Sequence, residues 1–144
     1  MRIYLDNCCY NRPYDSQTSL KVSLETQAKL YIQEKIRQGD LELVASYMLE
    51  YENSKNHDLV KRTFVLSYIY EFSKYFVPIE RKDDLQEKIT EIMNYGIAYK
   101  DATHVACAIF ARTDYFITTD IRLQKRYKGS EIKIVNPLDF IRII

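Results

Sequence analysis

The sequence predicts an α/β fold, in which a mostly parallel sheet is flanked by helices on both faces within one domain spanning residues 1–144. Two observations carry this. Short apolar runs of strand length alternate along the chain with longer stretches whose apolar residues recur at spacings of three and four. The 144 residues, 47% hydrophobic and 28% charged, also suffice for one continuous core and argue against disorder.

The first strand is "RIYL" (2–5), which stops at Asp6. "NCCYNRPYDSQTS" then has turn character, with Pro13 among small polar residues. Residues 18–38 carry Leu20, Leu24, Ala28, Tyr31, Ile32 and Ile36, the pattern of an amphipathic helix that Gly39 terminates. "LELVAS" (41–46) reads as a strand, and Ser46 can cap the helix that begins "YMLEYENSK". Leu59, Val60, Phe64, Ile69 and Phe72 predict a further helix to about residue 74, and "KYFVPI" (74–79) a strand ending near Pro78.

Leu85, Ile89, Ile92 and Met93 place a helix over 82–95. In "KDATHVACAIFAR" Asp101 stands where its carboxylate can cap a helix, and Ala102, Val105, Ala106 and Ile109 form the apolar stripe. "DYFITTD" (114–120) is a strand running into Asp120. "IRLQKRYKG" is a short basic helix, "IKIV" (132–135) a last strand, and "NPLDFIRII" closes the chain. No internal repeat, linker or low-complexity stretch interrupts this order.

The composition also excludes several functions. A net charge of +1 means that nucleic-acid binding needs a local basic patch. Three scattered glycines rule out a Walker loop and a GxGxxG turn, which need clustered glycines. Cys8, Cys9 and Cys107 form no disulfide framework and read as reduced thiols. The first residues lack a signal peptide's apolar stretch, and no apolar run approaches the ~20 residues of a membrane span. A cytoplasmic protein with no membrane partner is expected.

In open α/β sheets, sites form beyond the carboxyl ends of the strands. Asp6 and Asp120 both end strands, Glu50 lies in the helix just after "LELVAS", and Asp101 starts the helix that leads into the Asp120 strand. Four carboxylates brought together repel unless a cation joins them. Oxygen-only ligands suit Mg²⁺ or Mn²⁺ rather than zinc, and such ions serve phosphoryl chemistry.

"IYLDNCCYNRP", the S-x-x-x-E of Ser46 to Glu50, "KDATHVACA" and "DYFITTD", closed by "NPLDFI", resemble in order the motifs of the PIN-domain family over nearly the whole chain. The resemblance implies a PIN-like fold and a metal-dependent ribonuclease acting on single-stranded RNA to leave 5′-phosphate and 3′-hydroxyl ends. Many stand-alone members are toxins of toxin–antitoxin pairs, which implies an antitoxin partner and a homodimer. Carried over by position, Asp6, Glu50, Asp101 and Asp120 are the acidic, metal-binding residues. Asn7 stands where the family often has Thr or Ser, and Thr119 can orient a ligand or water. Glu52 is the alternative to Glu50; two residues apart on a helix they point about 200° apart, so only one faces the metal.

Arg122, Lys125 and Arg126 follow Asp120 and, with Arg12 in the loop leaving Asp6 and Lys100 beside Asp101, are candidates to hold RNA phosphates. A solvated basic helix face is the plainer reading. Tyr10, Tyr14, Tyr47 and Tyr51 lie near the site in sequence, where packing or base stacking would both use them. Cys8, Cys9, His104 and Cys107 lack the spacing of a zinc site and read better as core residues and a ligand-supporting or surface histidine. The apolar segment 57–75 is a dimer or antitoxin surface, or a buried helix pair. Two other functions remain. One is a non-catalytic RNA- or protein-binding module of the same fold. The other is a phosphatase with Asp6 as nucleophile, disfavoured because Cys8 stands where a second Asp is needed.

Overall fold

The computed structural model describes residues 1–11, 13 and 15–144; Arg12 and Tyr14, and the phosphate contact expected of Arg12, lie outside the described residues. Five strands, β1 (Arg2–Leu5), β2 (Glu42–Ser46), β3 (Ser73–Val77), β4 (Tyr115–Ile117) and β5 (Lys133–Val135), pair in the order β3-β2-β1-β4-β5, all parallel. The helices are α1 (Asn7–Asn11), α2 (Leu20–Arg37), α3 (Tyr47–Ser54), α4 (Leu59–Phe72), α5 (Lys82–Met93), α6 (Tyr99–Phe110), α7 (Ile121–Arg126) and α8 (Pro137–Ile141). A 3₁₀ turn, Ile79–Arg81, joins β3 to α5. α2 packs on α8 and α5 on α6. None of the helices is long and apolar enough to cross a membrane among the described residues.

Strand order determines where a site can form. The chain adds β2 and β3 on one side of β1, then returns to add β4 and β5 on the other. The loops leaving β1 and β4 therefore diverge, and a crevice opens beyond their carboxyl ends. Leu5 pairs with Ile117, and the Asp6 amide donates to the Ile117 carbonyl at 2.9 Å, so the ladder runs up to the first carboxylate.

The central strands are buried on both faces, as parallel strands with helical cover must be. Ile3, Tyr4, Leu5, Leu43, Val44, Phe116 and Ile117 are solvent-inaccessible. Tyr4 stacks on Phe116 with ring centroids 5.1 Å apart. Its hydroxyl is satisfied by Ser46 and His104, each at 2.6 Å, so a polar thread crosses an otherwise apolar core.

Three elements depart from the periodicity. The segment after Asp6 is helix α1 rather than a turn, with Cys9 and Tyr10 buried; five residues are too few for a helical period to show. α2 buries Glu25, Ala28, Lys29, Ile32 and Ile36, while Leu20, Leu24 and Tyr31 are exposed, so its buried face carries charge. α6 begins at Tyr99 with Ala98 as its cap, so Asp101 lies inside the first turn and caps nothing.

Where caps do form, they follow the sequence. Asp58 accepts from the Lys61 amide at 3.2 Å and starts α4. Asp58→Ala is expected to lower stability by about 1 kcal/mol, read as a lower denaturant midpoint with an unchanged slope. Gly39 and Gly96 end helices at φ +84°, a conformation that favours glycine.

Candidate active site

Asp6 closes β1 and is nearly buried. One carboxylate oxygen, Oδ1, accepts the Asn7 amide at 2.8 Å, and Oδ2 accepts the Thr118 hydroxyl at 2.8 Å. Thr118 Oγ1 also accepts the Asp120 amide at 3.1 Å. A single hydroxyl at the end of β4 thus links the first and last carboxylates. This is the orienting role expected of Thr119, whose own amide instead donates to Cys8 Sγ at 3.3 Å. Asp120 caps α7, its Oδ1 accepting the Arg122 and Leu123 amides at 2.9 and 3.2 Å. The cap fixes one oxygen and leaves Oδ2 free of these amides.

Asp101 comes to the same place from α6. Burial and the neighbouring Asp6 charge, with further repulsion from Asp120 and Glu52 and some relief from His104, push its carboxyl up to about 6. Burial leads this shift, and since charge repulsion falls with distance, the added contributions of Asp6, Asp120 and Glu52 put those carboxylates near Asp101.

Glu50 is not brought to the crevice with the other three. Its Oε2 accepts the Tyr70 hydroxyl at 2.6 Å, which ties it to α4 on the outer side of α3. Glu52, about 200° round the helix, faces the crevice. Its Oε1 lies 2.6 Å from His104 Nε2, and Asn7 bonds its carboxylate as well. Burial raises the Glu52 carboxyl, but the His104 bond and charge, Lys100 and Asn7 outweigh it and hold it below the ordinary range. Asn7 therefore supports the site twice, through its amide on Asp6 and its side chain on Glu52.

His104 is fully buried, with Nδ1 on Tyr4 and Nε2 between Glu52 and Asp6, whose Oδ1 is 4.0 Å away. Burial disfavours its charge, yet the Glu52 bond and the Asp6, Glu52 and Asp101 charges prevail and raise its proton affinity above the usual histidine range. With both ring nitrogens protonated, Nδ1 donates to Tyr4, which donates on to Ser46 Oγ. Ser46 also accepts the Leu49 amide at 3.4 Å. It therefore acts on the carboxylates only through Tyr4 and His104. A histidine three residues after Asp101 lies on the same helix face, and that spacing was the available signal for it.

The basic candidates divide. Arg122 and Arg126 line a recess of about 150 Å³ with Asp101 and Asp120. Arg126 Nη1 is committed to the Gly96 carbonyl at 3.0 Å, where it braces the turn before α6. Lys125 is exposed on α7. Lys100 stands over the Tyr51 ring at 5.5 Å.

Among the described residues, no three His, Cys, Asp or Glu side chains are placed as they stand to hold one metal ion. The cysteine–histidine zinc grouping is accordingly not assembled. Cys107 bonds Ser46 and is pushed up to about 12 by burial, and Cys9 faces the Ile117 carbonyl at 3.4 Å. The donor chemistry of the crevice, four carboxylates with one electrostatically disfavoured, fits a hard divalent cation, and Asp6, Glu52, Asp101 and Asp120 are the residues that would hold it.

No family model and no curated protein sequence matches the chain. Solved structures do. VapBC2 from Rickettsia felis, bound to a DNA fragment from its promoter, superposes with a TM-score of 0.61 at 14% identity, over 94% of this chain and 98% of that one. FitAcB from Neisseria gonorrhoeae gives 0.60 at 14% over 94% and 98%, and FitAB bound to an IR36 DNA fragment gives 0.58 at 17% over 94% of each. The chain has the PIN-domain fold.

Proposed function

We propose that this PIN domain is a Mg²⁺- or Mn²⁺-dependent endoribonuclease that hydrolyses phosphodiester bonds of single-stranded RNA, and that it is the cytoplasmic toxin of a toxin–antitoxin pair. The observation that carries the reading is the convergence of Asp6, Glu52, Asp101 and Asp120 at the strand-order reversal, with Asp101 held near 6 by burial and by the charges of its neighbours. The likeness to the VapBC and FitAB toxin–antitoxin complexes supports the pairing with an antitoxin. The exposed Leu59, Val60, Phe64 and Tyr70 of α4 support a protein-covered surface, for an antitoxin or for a second copy in a homodimer.

A hard divalent cation in the crevice supplies charge neutralisation and Lewis acidity to the scissile phosphate. The chain's own residues do the rest. Arg122 lines the crevice and, with Lys125 exposed on the same helix, holds the RNA backbone by charge. Thr118 fixes the Asp6 oxygen toward which the reacting group is brought. One of the four carboxylates takes the proton of the attacking water. His104 holds Glu52 in place and lowers the repulsion among the carboxylates.

The test is cleavage of a mixed pool of single-stranded RNAs with Mn²⁺, with Mg²⁺ and with EDTA, beside folded Asp6→Asn and Asp120→Asn proteins. Metal-dependent cleavage lost in both variants is expected, by at least about a hundredfold. Cleavage that survives both substitutions would remove this site. No cleavage and no Mn²⁺ binding would make the chain a binding module.

A further inference from the structure

A second polar feature plays no part in the carboxylate site. Between α1, α2 and α4 lies a cavity of about 200 Å³ lined by Tyr10, Lys29, Gln33, Phe64 and Tyr68 among others. Lys29, in the middle of α2, is only 4% exposed. Its ammonium lies 5.7 and 6.0 Å from the ring centroids of Tyr10 and Tyr68. Among the described residues it has no carboxylate partner, and burial, slightly offset by Cys9, brings its amine down to about 8. Tyr10 is 1% exposed, and among the described residues its buried hydroxyl has no hydrogen-bond partner.

Buried polar groups are ordinarily bonded and buried charges paired. Here, among the described residues, a cation lacks an anion and a hydroxyl donor lacks an acceptor, both in residues that line one cavity. Aromatic faces temper the ammonium's charge but offer nothing to the hydroxyl. One negatively charged acceptor would satisfy both. The rim is apolar, with Leu30 and Phe64 half or more exposed. A lone ammonium behind such a rim suits a carboxylate flanked by apolar side chains. A phosphodiester, with a bulky sugar on either side and its preference for several donors, suits it less.

We propose that this cavity is the receptor for one acidic side chain of a partner polypeptide, its carboxylate paired with Lys29 and bonded by Tyr10, its apolar neighbours packed on Leu30 and Phe64. This rests on the reading of the chain as one half of a protein pair. Engagement through α1, which leads directly from Asp6, would place the partner beside the active crevice.

The test uses protein with ¹³C,¹⁵N-labelled lysine, the Lys29 side-chain signal being assigned by its loss in Lys29→Met. Acetyl-Leu-Glu-Leu-amide is titrated to 50 mM, beside the Leu-Gln-Leu peptide and dimethyl phosphate. A saturable shift of the Lys29 signal with the Glu peptide, at least tenfold weaker with the Gln peptide, is the expected result. Tyr10→Phe, which removes only the hydroxyl and keeps the packing, should weaken it several-fold. No saturable shift means that the two tyrosine rings alone hold Lys29, and overturns the proposal. Tighter binding of dimethyl phosphate also overturns it, in favour of a nucleic-acid contact. RNA cleavage by the same sample is measured separately, so failure of the nuclease reading is not confused with failure of this one.

Discussion

Glu52→Gln is expected to reduce Mn²⁺-dependent RNA cleavage by at least about a hundredfold, while Glu50→Gln stays within about threefold of the parent. The two residues share a helix and differ by two positions, so helix propensity and net charge change alike. Only their direction differs. Glu52 bonds His104 and Asn7 and adds to the repulsion that raises Asp101. Glu50 accepts from Tyr70 on the other side of α3. Gln at 52 keeps the shape and a hydrogen bond but removes the charge that a divalent cation and His104 both need. Its Mn²⁺ affinity, read by calorimetry, should fall with its rate. Equal losses in both variants would mean that α3 is repositioned when RNA binds; a loss at Glu50 alone would return the metal ligand to the S-x-x-x-E residue.

That contrast shows what was legible in the sequence and what was not. Asp6 and Asp120 could be read because each ends an apolar strand run, and strand ends define the crevice in any parallel sheet. The choice between Glu50 and Glu52 could not be made from α3 alone. In the structure Glu52 is the one turned to the crevice, bonded to His104, 52 positions away along the chain. Asp101 was legible as a site residue but not as uncapped, because α6 starts two residues earlier at a cap with no side-chain bond. In α2 the apolar period of Leu20, Leu24, Ala28, Tyr31, Ile32 and Ile36 holds at Ala28, Ile32 and Ile36, which are buried beside Glu25 and Lys29, and fails at Leu20, Leu24 and Tyr31, which are exposed. Polar residues in the buried row hide its period. A buried charge is placed by what surrounds it, and Tyr10 and Tyr68 come from elements far away in sequence.

The same site makes stability depend on pH in a way that a divalent cation should reverse. His104 has a folded-state proton affinity raised above its ordinary 6.5, so its contribution is complete below 6.5 and lost as pH rises through the folded value. Asp101 is also raised, from 3.8 to about 6, and its charged form weighs against the folded state as pH rises through that value. Glu52 is lowered from 4.5, so its contribution holds above 4.5 and is lost as pH falls further. Without metal, stability should therefore be highest near 4.5, fall toward about 6 as Asp101 ionises, and fall again above 6.5 as pH rises through the His104 folded value.

His104→Leu removes a buried cation facing Glu52 and Asp6, and is expected to cost about 2–3 kcal/mol at pH 5.5 and progressively less as pH rises through the ring's raised folded value. His104→Gln, which keeps a donor without the charge, should lose less and show a flatter profile. Chemical denaturation in EDTA across pH 4.5–9 reads both. Adding Mn²⁺ should raise the parent's stability most on the alkaline side, where all four carboxylates are charged and free to bind it. A parent profile that rises toward pH 8 in EDTA would show that the carboxylates do not repel one another, and that the crevice is not built around a cation.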